Sequence, residues 1–221
     1  MMPGMWRAVL FDLDGTLVDS SELHIRACDH ALRTLLGVTA TRAELLEGMG
    51  VRLVDFFVRW APDRVEALRD AAVAAYTREH RQFIRAYSGV PEMLECVRRR
   101  GLATAIVSSK PRRSIDLDLD ALGLAAHFTV RIGAGEVWRG KPDPECIWRA
   151  LVRLHRKPAE TLLVGDHVND VLAARAAGVR VAGALWDPLH RAVMRAAGPD
   201  FLLDCPCDIN TILGPPKQTS P

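Results

Sequence analysis

What the chain lacks narrows it first. Nowhere does a run of about eighteen apolar residues occur, the length a helix needs to cross a bilayer. The first apolar stretch, residues 6–11, is cut by Asp12 and Asp14 before a secretory leader could be completed. Charge of one sign is missing too: 29 Lys and Arg stand against 27 Asp and Glu, for a net charge of +2. No basic run follows from that balance, so nucleic acid and membrane partners have no compositional support. Cysteine is scarce. The five present (Cys28, Cys96, Cys146, Cys205 and Cys207) are odd in number and show no zinc-site spacing. Cys205-Pro206-Cys207 is a close pair able to chelate or be oxidised. All five are nevertheless expected to be reduced and mostly buried, in a cytoplasmic protein.

What is present is ordinary globular material, 49% hydrophobic and 25% charged. The length suits one large domain, or one domain carrying an insert. Residues 7–12 read as a short strand buried on both faces. The period then turns helical up to about residue 86, with no convincing strand. Ser20 or Ser21 is suited to cap a helix with Leu23, Ala27, Ala31 and Leu35 on its apolar face. Thr41 followed by Glu44 reads as a capping box, and Pro62 opens a long helix. Beyond Ser88, strands at 102–108, 128–132, 161–165, 179–185 and 200–203 alternate with helices. That alternation predicts an α/β fold: a doubly wound, Rossmann-like parallel sheet with an inserted all-helical cap. The expected division is a core of 1–17 and 87–213, a cap of 18–86, and a disordered tail of 214–221. Ligands in such sheets bind at the carboxyl ends of the strands.

The residues suggestive of chemistry fall at those ends. In Asp12-Leu13-Asp14-Gly15-Thr16 the carboxylates are two apart, so both can face one site, where their repulsion calls for a cation. A second cluster, Gly165-Asp166-His167-Val168-Asn169-Asp170, closes the strand at 161–165. Oxygen ligands from separate loops suit Mg²⁺. Acidic residues at strand ends are also common turn formers and caps, but two clusters at two strand ends are harder to dismiss. Ser108-Ser109-Lys110 offers hydroxyls and N–H groups for phosphate oxygens at a helix start. Lys141, in a segment stiffened by Pro142 and Pro144, offers a fixed ammonium.

In order and spacing, DLDGT, Ser108, Lys141 and GDHVND together resemble the four motifs of the haloacid dehalogenase superfamily of phosphohydrolases. The resemblance spans nearly the whole chain. It implies that Asp12 is a nucleophile and Mg²⁺ ligand, and that Asp14 is the general acid/base and binds the metal through its carbonyl. It further implies that Ser108 and Lys141 hold the phosphoryl group, that Asp166 ligates Mg²⁺, and that Asp170, Asn169 and Ser109 lend support. The helical insert resembles the family's cap and offers His24 and Arg52 as substrate contacts, with Thr16 beside them. His24 reads equally as a satisfied helix histidine and Arg52 as a solvated one. Hinges are expected near residues 16–19 and 85–89.

The chain most resembles phosphoglycolate phosphatase and its close relatives, a group that neighbours β-phosphoglucomutase. The implied activity is hydrolysis of a small phosphomonoester of phosphoglycolate type, by a monomer or homodimer. A sugar-phosphate mutase, a pyrophosphatase, a metal-free dehalogenase and a silent interaction module are the alternatives. Trp138 and Trp186 read as packing residues. Asp116, Asp118 and Asp120 read as a solvated helix face.

Overall fold

A computed structural model describes residues 6–215. Strand β1 (Ala8–Phe11) is buried throughout and leads into a short strand β2 (Val18–Asp19). Four helices follow: α1 (Ser21–Leu36), α2 (Arg42–Leu46), α3 (Leu53–Phe57) and α4 (Val65–Phe83). The chain returns through β3 (Arg85–Ala86), which pairs antiparallel with β2. This two-stranded ribbon corrects the expectation of a strand-free insertion. Two residues per strand are too few to leave a periodic signal. The remainder alternates as α5 (Val90–Arg99), β4 (Ala103–Pro111), α6 (Arg112–Ala121), β5 (Val130–Ala134), α7 (Glu145–Leu154), β6 (Thr161–Gly165), α8 (Val168–Ala177), β7 (Arg180–Ala184), α9 (Arg191–Ala197), β8 (Phe201–Leu203) and α10 (Ile209–Leu213).

The six-stranded sheet has the order β5-β4-β1-β6-β7-β8, and every pairing in it is parallel. The chain reverses direction across the sheet at β1, so β4, β1 and β6 end side by side at the switch point. Phe11 stands in register with both Ile106 and Val164. The residues just beyond these positions therefore share one rim. Alternate side chains feed two cores. Ala8 and Leu10 pack with Ile147 and Val171 on one side, whereas Val9 and Phe11 pack with Leu94 and Ile115 on the other. No helix among the described residues is long and apolar enough to cross a membrane.

Local signals act as their chemistry suggests. Thr41 and Glu44 form the reciprocal capping box of α2. Ser20 occupies the N-cap position of α1 but makes no capping bond there, and its hydroxyl donates to Asp14 instead. Cys28, Cys96 and Cys146 are buried free thiols, while Cys205 and Cys207 are joined to each other. The disulfide corrects the expectation of five reduced cysteines; the two thiols sit one residue apart across Pro206, within bonding reach without any long-range closure. Trp138 is 88% exposed and does not pack, contrary to expectation. Gly214, at the start of the expected disordered tail, accepts hydrogen bonds from Arg100. Residues 216–221 of that tail lie outside the described residues.

The larger correction concerns Asp118, which is fully buried rather than solvated. It accepts from His80 Nε2 (2.8 Å), Tyr76 Oη (2.8 Å) and Lys110 Nζ (2.6 Å). Burial alone would raise its pKa, but Lys110 and these hydrogen bonds hold it below the usual carboxylate range. Helix periodicity missed this because the partners lie on α4 and at the end of β4. Through Tyr76 and His80, the Lys110–Asp118 pair thus ties α4 of the helical insertion to the sheet and α6. Removing one partner of a buried ion pair strands the other, so Asp118→Ala should destabilise the protein by about 3 kcal/mol. Urea unfolding of the variant checks this.

Candidate active site

The site begins with backbone geometry at the sheet's carboxyl rim. Asp12 follows β1 directly, its N–H donating to the Val164 carbonyl at 2.9 Å. Asp166 follows β6 in the same way. Gly15 then turns back with φ +79°, and a Cβ there would lie 2.1 Å from the Asp166 carboxylate. A Cβ on Gly165 would lie 2.5 Å from the Asp170 carboxyl carbon. Only glycine permits these two close approaches. They leave room for oxygens of Asp12, Asp166 and Asp170 to converge, with one ligand atom from each within 4.8 Å of the others.

The three carboxylates are buried, and their neighbours are specific. Asp170, in the first turn of α8, accepts from the His167 N–H (3.1 Å) and from Lys141 Nζ (2.6 Å). The Asn169 N–H donates to His167 Nδ1, so the imidazole caps the helix. Its burial lowers the His167 pKa to about 4, and the ring is neutral near pH 7. Lys141 Nζ also lies 3.0 Å from Asp12 Oδ1, although no aligned hydrogen bond reaches that buried oxygen. Burial pushes the Asp12 carboxyl up to about 8; Lys141 opposes the rise, and Asp170 and Asp166 add to it. Burial would lower Lys141, yet Asp12 and Asp170 hold it above the ordinary lysine range.

A buried carboxylate oxygen without a hydrogen bond, two further carboxylates beside it and a single ammonium make a donor set that fits a hard divalent cation. Asp12, Asp166 and Asp170 are the groups able to hold it. Thr16, expected near substrate, instead donates its hydroxyl to Asp166 Oδ1 at 2.8 Å. His190 donates to the other oxygen of Asp166, also at 2.8 Å. His190 escaped sequence reading because nothing in its local pattern marks it. Its place in the loop following β7, at the ligand-binding end of the sheet, was the available signal.

Asp14 lies on the opposite side of Asp12, toward the helical insertion. Its Oδ1 accepts from the Ser20 hydroxyl and from Lys110 Nζ, the latter at 2.6 Å. Ser108 is buried, and its Oγ accepts from the Lys110 N–H. Ser109 donates to the Gly50 carbonyl at 3.2 Å, joining the rim to the insertion. His24 donates from Nε2 to the Leu45 carbonyl at 3.1 Å and lines the cavity next to Asp14. Arg52 does not reach that cavity. It is spent on Asp55, at 2.7 and 2.9 Å, with a weaker contact to the Trp138 carbonyl. The indole N–H of Trp186 donates to the Thr16 carbonyl at 2.9 Å.

A doubly wound sheet with clustered carboxylates at its switch point and a helical insertion after its first strand defines a class of hydrolase. The model of the haloacid dehalogenase-like hydrolases matches residues 9–184, and the chain belongs to that family. Pyrophosphatase PpaX of Anoxybacillus flavithermus is 34% identical over 206 residues, covering 93% of this chain and 96% of that protein. PpaX of Bacillus cereus is 33% identical over 205 residues, covering 93% and 95%. A predicted phosphoglycolate phosphatase from Haemophilus somnus superposes with a TM-score of 0.86 at 26% identity, covering 95% of this chain and 99% of that one. A hydrolase from Pseudomonas syringae gives 0.83 at 26% identity, covering 94% and 97%.

Two outcomes follow. With a folded pKa of about 8 against an unfolded value near 3.9, Asp12 favours the metal-free fold at low pH. That contribution is lost as pH rises from about 4 to 8. Mg²⁺ should restore it, so the Mg²⁺-induced rise in Tm should grow from pH 5 to 8 and then level off; a thermal unfolding series checks the trend. His190→Ala, which frees Asp166 to rotate, should weaken Mg²⁺ affinity by about tenfold in a calorimetric titration.

Proposed function

We propose that the protein is a Mg²⁺-dependent phosphatase that hydrolyses a small phosphomonoester through an aspartyl-phosphate on Asp12. The observation that carries this reading is the Asp12 oxygen that is buried without an aligned hydrogen bond, between Lys141 and the carboxylates of Asp166 and Asp170. Such a group is poised for an electrophile and a cation, not for structural pairing.

In the first step a carboxylate oxygen of Asp12 attacks phosphorus and the bond to the leaving oxygen breaks. Asp14 gives that oxygen its proton. In the second step Asp14 takes a proton from water, which attacks phosphorus and frees Asp12 as inorganic phosphate departs. Ser108 and Lys141 stabilise charge on the phosphoryl oxygens. Asp12 and Asp166, with the Asp14 carbonyl, would hold a Mg²⁺, and its charge would let an anionic nucleophile meet an anionic phosphate. Asp170 holds Lys141, and Thr16 and His190 hold Asp166. Asn169 acts through its backbone N–H at the α8 cap, and Ser109 through its hydroxyl on the Gly50 carbonyl.

The relatives' names support phosphoester or phosphoanhydride hydrolysis. A silent scaffold is disfavoured because every motif position carries a competent side chain. A metal-free dehalogenase would have no need of the acidic cluster at 166–170. Phosphate release from small phosphoesters with Mg²⁺ tests the proposal. Asp12→Asn should lower kcat by about three orders of magnitude or more while leaving the fold intact, and EDTA should abolish turnover by wild type. Turnover that survives both would overturn it.

A further inference from the structure

The cavity next to Asp14 has a wall whose chemistry restricts the leaving group. It lies between the helical insertion and the rim of the sheet. Asp12, Asp14 and the serines line one side. Ala27, Met49, Val51, Leu53, Ala72 and Val73 line the other. Since Asp14 faces this space, the group it protonates in the proposed reaction must occupy it.

The charges around the cavity are already committed. Among the described residues that line it, Lys110 is the only one bearing an ammonium or guanidinium. Its Nζ is held by Asp14 at 2.6 Å, Asp118 at 2.6 Å and Tyr76 Oη at 2.7 Å. Turning it toward a ligand would leave the buried Asp118 carboxylate without its ammonium, held only by Tyr76 and His80. His24 is neutral, its pKa lowered by burial to about 4, and its Nε2–H is bonded to Leu45. Arg52 is taken by Asp55, and Lys141 by Asp12 and Asp170. A carboxylate or second phosphate in this cavity would lose hydration and find no free cation among the described lining residues. An alkyl group would gain from burial against the apolar wall.

We propose that this cavity is a leaving-group subsite selecting monoesters of neutral, carbon-rich alcohols over compounds whose leaving group is itself anionic. The proposal rests on the phosphatase reading above. It sets this chain apart from what the name pyrophosphatase says of its relatives, and from the phosphoglycolate-type substrate expected from sequence.

The test is phosphate release by the full chain with Mg²⁺ from n-butyl phosphate, phosphoglycolate and pyrophosphate. The first two expel comparable alkoxide oxygens and differ chiefly in the carboxylate. The expected kcat/KM for n-butyl phosphate exceeds the other two by about tenfold or more. Val73→Lys, which brings an ammonium to the apolar wall, should narrow that ratio by about tenfold. Equal or better turnover of phosphoglycolate or pyrophosphate by wild type would overturn the subsite assignment and leave the phosphatase reading standing. An unmoved ratio in folded Val73→Lys would also overturn it. If that variant does not fold, the wild-type ratio decides alone. Release from none of the three would overturn the phosphatase reading, and this proposal with it.

Discussion

Crowding of like charge is the constraint on which the site depends. Asp12, Asp166 and Asp170 converge where water is scarce, and Lys141 alone cannot balance them. The backbone is shaped to make that crowding possible. Gly15 and Gly165 remove the Cβ atoms that would collide with Asp166 and Asp170, and the turn of α8 gives Asp170 a backbone donor. Thr16 and His190 fix Asp166 by one hydrogen bond to each oxygen. The resulting imbalance is what calls for a divalent cation beside Asp12.

A second buried charge system stands on the other side of Asp12. Lys110 joins Asp14 to Asp118, Tyr76 and, through Asp118, to His80. It therefore links the first loop of the sheet, the end of β4, helix α6 and helix α4 of the insertion. The same contacts that secure the insertion also consume the ammonium nearest the leaving-group cavity. Stability and selectivity then draw on one side chain. The apolar wall formed by α1, α4 and the segment around Met49 acts as a leaving-group filter because that charge is already taken.

Legibility from sequence followed physical range. Runs such as 7–12 and 161–165 revealed their strands because burial on both faces demands continuous apolar residues. Thr41 and Glu44 were readable as a cap because the bonds span three residues. Asp12, Asp14, Asp166, Asp170 and Ser108 stood out as polar residues at or just beyond strand ends, and Lys141 as a lysine between Gly140 and Pro142 in a rigid segment before a helix. The paired two-residue strands β2 and β3 did not, being shorter than any period. Asp118 was misread because its helix offers no partner within a turn. His190 was missed for the same reason, its partner Asp166 lying 24 positions earlier.

By itself, then, the sequence determined the parallel α/β core, the helical insertion after the first strand, and which acidic residues sit at strand ends. These depend on side-chain periodicity and on turns a few residues long. Tertiary structure alone decided which charges meet. It gave Thr16 and His190 to Asp166, Lys110 to Asp14 and Asp118, and Arg52 to Asp55. Apart from Arg52–Asp55 and from Lys110–Asp118, eight positions apart across the β4–α6 junction, those partners are brought together by the sheet order. Coulombic and hydrogen-bond energies depend on distances of a few ångströms, which no local pattern in the chain encodes.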